Sequence, residues 1–365
     1  MSESELIYLL ALQRIPNVGD ITAKKLLLHF GSAEEIFCAK KSTILNVDGI
    51  GERTAKLLDF STYEREVLQE LSFIKDNNIE TTYFQEKSYP ENLKHCIDAP
   101  ILLFQKGNID LHQKKLLSIV GTRKVTNHGI AFCEQLIEEL SPLNPVIISG
   151  FAYGVDICAH KSALANNLQT IGCLAHGLNQ IYPKVHKKYE AEVMQNGGFL
   201  TDFWSDAKFD RKNFLKRNRV IAGLSQATLV IESAEKGGSL VTADIANSYN
   251  REVFAVPGRS TDVLSKGCNN LIKQQQAQMI TSAADLIYYL GWEVEEKKPQ
   301  QTQLFVELST EEEKILYKLK ELGKVELDIL ALACQMPTYE ITSYLLSLEL
   351  NGLVRPLPGK QFEAI

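Results

Sequence analysis

The chain has 365 residues and a formal net charge of -6, with 45% hydrophobic and 23% charged residues. This composition is that of an ordinary globular protein and excludes a chain dominated by disorder, and the length indicates two or three domains. A negative net charge opposes non-specific binding to nucleic acid, because such binding depends on neutralising phosphates. Any nucleic-acid site must therefore be a local basic pocket.

The sequence contains no apolar run of the roughly 18 residues that a membrane-spanning helix needs, and its start is acidic, unlike a secretory signal. We expect a cytoplasmic protein that does not enter a membrane. The seven cysteines are scattered and form no Cys-x-x-Cys pair. This argues against a disulfide framework and against a structural zinc site.

Residues 1–80 are predicted to be helical and contain two similar short patterns, Ile15–Leu26 and Val47–Leu57. In each, a glycine is followed by an Ala-Lys step on the next helix. The patterns resemble paired helix-hairpin-helix motifs in a SAM-like helical domain, where a glycine turn presents backbone N–H groups to a phosphate. A plain helical hairpin, whose glycines only form the turn, explains them equally well.

Residues 81–115 are predicted as a connector, and from residue 116 short apolar runs alternate with helical stretches. The runs are Leu117–Val120, Val146–Ser149, Thr170–Leu174, Phe199–Phe203, Thr228–Ile231 and Val253–Val256. Apolar strands separated by helices indicate a parallel sheet covered on both faces. The sequence therefore predicts a Rossmann-like α/β domain, which with the connector covers residues 81–292.

Residues 293–308 are charged and rich in glutamine, and we interpret them as a linker. Residues 309–365 begin with a capping box at Ser309, continue with three helices and end in two short strands, the pattern of a winged helix. The helix at the recognition position, Thr338–Asn351, contains no Lys or Arg. We therefore predict a protein-contact role for this domain.

Glycine and polar residues follow four predicted strands, where open α/β sheets bind ligands. These turns are Gly121-Thr-Arg123, Ser149-Gly150, Gly177 and Gly237-Gly-Ser239. Arg123 offers forked donors to a phosphate, and small residues let a ligand approach backbone N–H groups. Each glycine alone is explained by a tight turn, but together with Arg123 they favour an anion site.

Phe214 lies in the strongest cluster of cations, Arg211, Lys212, Lys216, Arg217 and Arg219. The ring fits a core position or a platform for base stacking, and the flanking cations favour the platform. In a helix, the apolar residues that follow this cluster would face the core. We therefore expect one of the neighbouring arginines to be buried with them and to have a structural role. We expect Arg219 to pair with a buried carboxylate such as Asp156 or Glu232. Arg217 is expected to contact the ligand.

Signatures of catalysis are weak, because the phosphate-loop, dinucleotide, nucleophile-elbow and His-Glu-x-x-His motifs are all absent from the sequence. Asp156 and His160 lie four residues apart on one helix. They could be a metal-binding or acid/base pair, but the sequence offers no further metal ligand at a suitable spacing. We therefore interpret them as a helix-capping carboxylate and a buried, hydrogen-bonded histidine. Tyr182-Pro183 is interpreted as shaping a loop. We expect no catalytic residue, no metal and no cofactor.

Six ordered blocks resemble the DNA-processing protein A (DprA/Smf) family. They are Ile119–Arg123, Ile148–Asp156 with His160, Gly177–Pro183, Phe214–Leu224, Gly238–Ala243 and Val253–Gly258. The resemblance is strong over roughly residues 80–290 and holds in outline elsewhere. It implies a dimeric, non-catalytic protein that binds and protects single-stranded DNA entering the cell in natural transformation and loads the recombinase RecA onto it.

Matched by motif, the resemblance also implies the residues of the single-strand site. They are Gly121, Arg123, Ser149, Gly150, Arg211, Phe214, Arg217, Asn218, Gly237, Gly238 and Ser239. The dimer contact of the family falls in the last helix of the α/β domain, here near Asn270–Gln276. The chain departs from the family pattern at Leu215, at Thr201-Asp202 and at Gln276-Ala277, the last beside the expected dimer contact.

Two other functions stay open on the sequence alone. An enzyme or sensor similar to a nucleoside-monophosphate phosphoribohydrolase would use the same pocket for a nucleotide. It would need a catalytic carboxylate after the glycine turn, where the sequence offers only Asp244. An adaptor acting through the winged helix would leave the pocket without a role, and Arg123 and Arg217 count against it.

Overall fold

The computed structural model describes residues 1–112, 115–292 and 308–364. They form two compact units, of which the first includes residues 1–292 and the second includes residues 308–364. The linker predicted over residues 293–308 lies, apart from Leu308, outside the described residues. Within the described ranges, no helix combines the length and apolarity needed to cross a membrane.

The first unit begins with the predicted helical region. Its helices are α1 (Glu3–Arg14), α2 (Asp20–Phe30), α3 (Ala33–Cys38), α4 (Lys41–Ile44), α5 (Glu52–Leu57) and α6 (Glu64–Asp76). Gly19 and Gly51 are the N-caps of α2 and α5, and neither helix start has a side-chain cap. The glycines of the two predicted hairpins therefore both lie at helix N-termini.

A mostly parallel sheet follows, with nine strands among the described residues. They are β1 (Glu80–Tyr83), β2 (Leu102–Gly107), β3 (Leu116–Val120), β4 (Val146–Ser149), β5 (Thr170–Cys173), β6 (Gly197–Thr201), β7 (Ala227–Val230), β8 (Glu252–Ala255) and β9 (Gln278–Met279). Their order is β1-β2-β6-β5-β4-β3-β7-β8-β9. The six predicted runs overlap β3 to β8, which pair in parallel.

The predicted connector is part of this sheet. Strand β2 pairs antiparallel with β6, and β1 pairs antiparallel with β2. Prolines at positions 90 and 100 interrupt this region in the sequence and conceal the strands, because proline marks turns and strand ends. The α/β domain therefore begins one pair of strands earlier than its apolar runs indicate.

Helices cover both faces of the sheet. They are α7 (Glu91–Lys94), α8 (Asn127–Leu140), α9 (Val155–Ala165), α10 (Glu190–Gln195), α11 (Arg211–Leu224), α12 (Gly238–Ser248), α13 (Lys266–Lys273) and α14 (Ala283–Leu290). Side chains of β3 alternate between two cores: Val120 joins the core that contains the N-terminal helices, and Ile119 joins the core under α8 and α9. The helical region therefore shares a continuous core with one sheet face.

The segment predicted for the dimer contact, Asn270–Gln276, covers the end of α13 and the turn after it. It is not the last helix of the domain, because α14 follows it and ends at Leu290. The location of the dimer contact itself stays a prediction.

The second unit is the predicted winged helix. It consists of α15 (Thr310–Leu322), β10 (Val325–Glu326), α16 (Leu327–Cys334), α17 (Thr338–Leu350), β11 (Val354–Leu357) and β12 (Gln361–Ala364). The capping box is confirmed, since Ser309 and Glu312 cap each other at the start of α15. The predicted fold class, a Rossmann-like domain between a helix-hairpin-helix region and a winged helix, is confirmed.

Candidate nucleic-acid site

A cavity of about 340 Å³ lies at the carboxyl ends of β3 and β7, beside α11 and the start of α12. Predicted residues that line it are Gly121, Arg123, Phe214, Arg217, Asn218, Gly237, Gly238 and Ser239. The structure adds neighbours that the sequence did not single out, such as Ser233 and Ala234. Parallel strands and their following turns meet at this edge, which is why residues over 100 positions apart surround one space.

One wall of the cavity is the N-terminus of α12. Gly237 is its N-cap, and no side chain caps the helix. A Cβ built on Gly238 would meet nothing within 4 Å, so the first turn faces open space. Ser239 is held by a 2.9 Å hydrogen bond from its hydroxyl to that of Ser233. Helix starts of this kind attract anions through free N–H groups and the helix dipole.

Arg123 stands at the mouth of the cavity. Its side chain is exposed, and it forms no ion pair with any residue that the structure describes. The centre of its guanidinium group lies 5.4 Å from the centroid of the Phe214 ring. An unpaired guanidinium beside an aromatic face and a helix N-terminus provides contacts for both phosphate and base.

Arg217 forms the floor of the cavity. It is 4% exposed, and its Nη1 donates to the Gly150 carbonyl oxygen at 2.8 Å and to the Cys173 carbonyl oxygen. A Cβ on Gly150 would lie 2.5 Å from Nη2 of Arg217, so only glycine leaves room for this guanidinium. The guanidinium is thus fixed in place by backbone carbonyls before any ligand arrives.

Gly150 therefore lies against Arg217, and neither Ser149 nor Gly150 lines the cavity. The Ser149 hydroxyl is fully buried and donates to the Ile119 carbonyl oxygen at 2.6 Å. Arg211 also lies outside the cavity, in the exposed first turn of α11. Gly177, expected at the same crevice, packs against the backbone of Trp204 instead.

Arg219 has the structural role that was predicted, but with other partners. Its Nη2 donates to Asp20 at 2.9 Å and to Asp202 at 2.5 Å, and its Nη1 donates to the Asp98 carbonyl oxygen. The suggested partners, Asp156 and Glu232, are wrong. Two residues along a helix correspond to about 200° of rotation. Arg219 therefore faces away from Asp156, the carboxylate beside Arg217. Arg219 instead joins α2, the segment before β2 and the end of β6.

Asp156 lines the cavity beside Arg217 and is 7% exposed. It lies in the first turn of α9, whose N-cap is Gly154, so it is not the helix cap that was predicted. Its Oδ2 accepts a hydrogen bond from the Ala152 N–H at 3.3 Å. Burial raises the pKa of the Asp156 carboxyl, and the Arg217 guanidinium opposes that rise.

His160 is the buried, hydrogen-bonded histidine that was predicted. It is fully buried, and its Nδ1 lies 2.7 Å from the Thr170 hydroxyl. Burial, with smaller contributions from His186 and Arg217, lowers the pKa of His160 to about 3. The side chain is therefore neutral at physiological pH.

Phe214 belongs to a cluster of three aromatic rings, two of which sequence reasoning missed. Its ring centroid lies 5.9 Å from that of Tyr182 and 5.4 Å from that of Phe209, and the latter two lie 4.8 Å apart. Tyr182 was interpreted only as part of a loop, and no motif contains Phe209. Tyr182 lies in the Gly177–Pro183 block, two residues before Lys184, and Phe209 directly follows Lys208.

Comparisons with known proteins agree with this architecture. The chain matches the family described as DNA recombination-mediator protein A over residues 80–291, the DprA winged helix domain over residues 297–360 and the helix-hairpin-helix motif over residues 8–66. Protein Smf of Synechocystis is 33% identical, with 80% of this chain and 74% of the relative covered. Protein Smf of Escherichia coli is 31% identical, with 87% and 86% covered.

Solved structures of the same family have the same fold. The X-ray structure of DNA processing protein A from Streptococcus pneumoniae superposes with a TM-score of 0.67 at 29% identity, covering 77% of this chain and 97% of that one. The Helicobacter pylori protein, whose structure is described for its single-stranded DNA binding mode, superposes with a TM-score of 0.53 at 31% identity, covering 58% and 95%. The chain therefore belongs to the DNA recombination-mediator protein A (DprA/Smf) family.

Proposed function

We propose that this protein binds single-stranded DNA in the cavity at the carboxyl edge of the sheet. The observation that carries the proposal is the meeting of three features there: the unpaired Arg123 guanidinium, the half-buried Phe214 ring and the uncapped N-terminus of α12. Together they offer two phosphate contacts and one aromatic face. Single-strand binding proteins combine these contacts and so bind with little base preference.

The predicted site residues have different roles in this proposal. Arg123, Gly237, Gly238 and Ser239 bind a phosphate, and Phe214 stacks on a base. Arg217 and Asn218 supply the polar floor, and Gly121 turns the chain after β3. Gly150 supports Arg217 through its carbonyl oxygen, Ser149 joins the ends of β3 and β4 through its bond to Ile119, and Arg211 contacts a phosphate outside the cavity. The single-stranded DNA binding described for the Helicobacter pylori relative supports the choice of ligand.

The wider role is that of a non-catalytic recombination mediator. We propose a cytoplasmic homodimer that protects single-stranded DNA entering the cell in natural transformation and loads RecA onto it. Membership of the recombination-mediator family supports this role. Among the described residues that line the cavity, Asp156 alone carries a carboxylate, and it adjoins Arg217. Asp244, the carboxylate that a phosphoribohydrolase-like enzyme would need, is exposed and does not line the cavity.

Fluorescence anisotropy with labelled oligo-dT and labelled duplex, at two salt concentrations, tests the proposal. We expect tighter binding to oligo-dT than to duplex, and weaker binding at the higher salt concentration because phosphate contacts release counterions. RecA assembly on a strand already covered by single-strand-binding protein should also accelerate. Absence of single-strand binding together with hydrolysis of nucleoside monophosphates would favour the enzyme instead.

A further inference from the structure

Two of the three clustered rings stand outside the cavity and are open to solvent. Phe209 is 54% exposed and Tyr182 is 38% exposed, and neither lines the cavity next to Phe214. The rings of Tyr182 and Phe209 meet at 58°, and each meets Phe214 at 68° or 69°. Rings inclined in this way do not stack face to face, and the exposure of Phe209 and Tyr182 leaves part of each ring open to solvent. A hydrophobic cluster left open beside a binding cavity indicates a surface used for binding.

The same surface is strongly basic. The segments next to the two rings, residues 184–188 and 208–212, carry six exposed cations: Lys184, Lys187, Lys188, Lys208, Arg211 and Lys212. Among the residues that the structure describes, none of the six forms an ion pair. The one carboxylate among them, Asp210, accepts the N–H of Lys212 as the cap of α11. The contact between Tyr182 and Phe209 joins the two segments into one patch.

This patch is unusual for a chain with a net charge of -6. Unpaired cations repel each other, and an exposed aromatic ring loses the stabilisation that burial would give it. Neither the repulsion between the cations nor the exposure of the rings stabilises the folded chain. Alternating rings and cations are, however, the combination that binds a single strand, because bases stack on the rings and phosphates pair with the cations.

We propose that Tyr182, Phe209 and the six cations form an outer platform that binds the nucleotides next to the one held in the cavity. The inference rests on the proposed function and extends it, because it gives the strand a direction away from Phe214 and a binding site longer than the cavity. One base stacks on Phe209 or Tyr182 outside the cavity, while the flanking lysines hold its phosphates.

A length series tests the outer platform. Affinities for a single nucleotide, pdT, which is short enough to occupy only the cavity, and for oligo-dT of about 16 nucleotides, the upper end of the range typical of such sites, are measured with wild type, Phe209→Ala, Phe209→Tyr and Phe214→Ala. Tyr288→Ala is the matched control, because Tyr288 is 82% exposed on α14 and lies outside the cluster. Melting temperatures accompany each variant. Phe209→Tyr keeps the aromatic face and should keep the affinity.

We expect Phe209→Ala to weaken binding of the longer strand by about tenfold, the effect of losing one stacked base, and to leave binding of the single nucleotide pdT unaffected. The control should change neither. Charge reversal at Lys187 and Lys188 should weaken only the longer strand, and it tests the platform without touching a ring.

Three results would overturn the inference, and they are distinguishable. If Phe214→Ala weakens binding and Phe209→Ala changes nothing at either length, the strand does not cross the platform. If Phe209→Ala weakens both lengths equally, Phe209 acts only by supporting Phe214. If wild type binds no single strand at all, the proposed function fails as well.

Discussion

Among the surfaces of the described residues that expose apolar side chains, two differ sharply in the charge around them. Beside the cavity, Tyr182 and Phe209 stand among unpaired cations. On α17 of the winged helix, Tyr339, Leu346 and Leu350 are 74%, 57% and 79% exposed on one helix face, and the helix has two glutamates and no Lys or Arg. The helix at the position that reads DNA in winged helices is thus the less suited to nucleic acid. Local charge, and not the name of the fold, indicates which surface meets DNA.

We expect the greatest loss from a change in α11, which carries both a cavity-lining arginine, Arg217, and a structural one, Arg219. Arg219→Ala removes the partner of Asp20 and Asp202 and should destabilise the first unit by about 3 kcal/mol, because it leaves buried carboxylates unpaired. Urea unfolding measures this loss. Lys75→Ala is the control, because its pair with Glu3 is more than half exposed and should contribute less than about 1 kcal/mol. Equal small losses in both variants would remove Arg219 from its structural role.

Arg123→Ala tests whether the basic surface at the cavity binds nucleic acid. We expect binding to oligo-dT to weaken by about 1–3 kcal/mol, the cost of losing a charged hydrogen bond, with the melting temperature unchanged. Lys360→Ala, an exposed cation in the wing between β11 and β12, should leave binding as it is. Similar losses in the two variants would show that the winged helix shares in the binding.

The two units also differ in how their stability depends on pH. The described second unit contains no histidine, whereas the first buries His160 with its pKa lowered to about 3. Below an unfolded pKa of about 6.5, the unfolded chain takes up a proton that the folded chain does not, so stability falls as pH falls. Between pH 7 and pH 5 this loss should reach about 2 kcal/mol.

Urea unfolding at pH 7 and pH 5 measures the difference. His160→Gln should have a shallower pH dependence than wild type, while His128→Gln, which changes an exposed histidine, should not. Identical pH dependence in His160→Gln and wild type would mean that His160 titrates normally in the folded protein.

We expect the smallest change in DNA affinity from substitutions on α17, which carries glutamates and no Lys or Arg. Substituting Tyr339 and Leu346 together with alanine should change affinity for oligo-dT by less than about twofold, because neither side chain is near a cation of its own helix. Anisotropy measures this directly. A loss as large as that of Arg123→Ala would break the distinction between the two surfaces.

Sequence patterns predicted the elements and the turns better than they predicted what each side chain touches. Strands β3 to β8 were predictable because buried parallel strands are continuous apolar runs, and Arg123 because it directly follows one of them. The antiparallel pair β1 and β2 escaped, since β1 is mostly polar and the short apolar run of β2 comes directly after the turn at Pro100. Fold-level contacts were equally hidden: Arg219 binds Asp20, 199 residues away.

The site was predictable in part for the same reason. Backbone carbonyls leave no trace in a sequence, so the burial of Arg217 against Gly150 and Cys173 was invisible. The outer platform was invisible as well, because Tyr182 and Phe209 meet only after the chain has passed through α10 and β6. A contact between residues so far apart in the chain is created by the fold, so no local sequence pattern predicts it.

Photocrosslinking tests the central claim most directly. Oligonucleotides carrying 5-iodouracil are bound to the full chain, irradiated and digested, and the crosslinked peptides are identified by mass spectrometry. We expect crosslinks to the peptides that contain Phe214, Phe209 and Tyr182, and we expect Arg123→Ala to reduce them. Crosslinks confined to Tyr339 and the rest of α17 would contradict it, because the strand would then lie on the winged helix and not at the edge of the sheet.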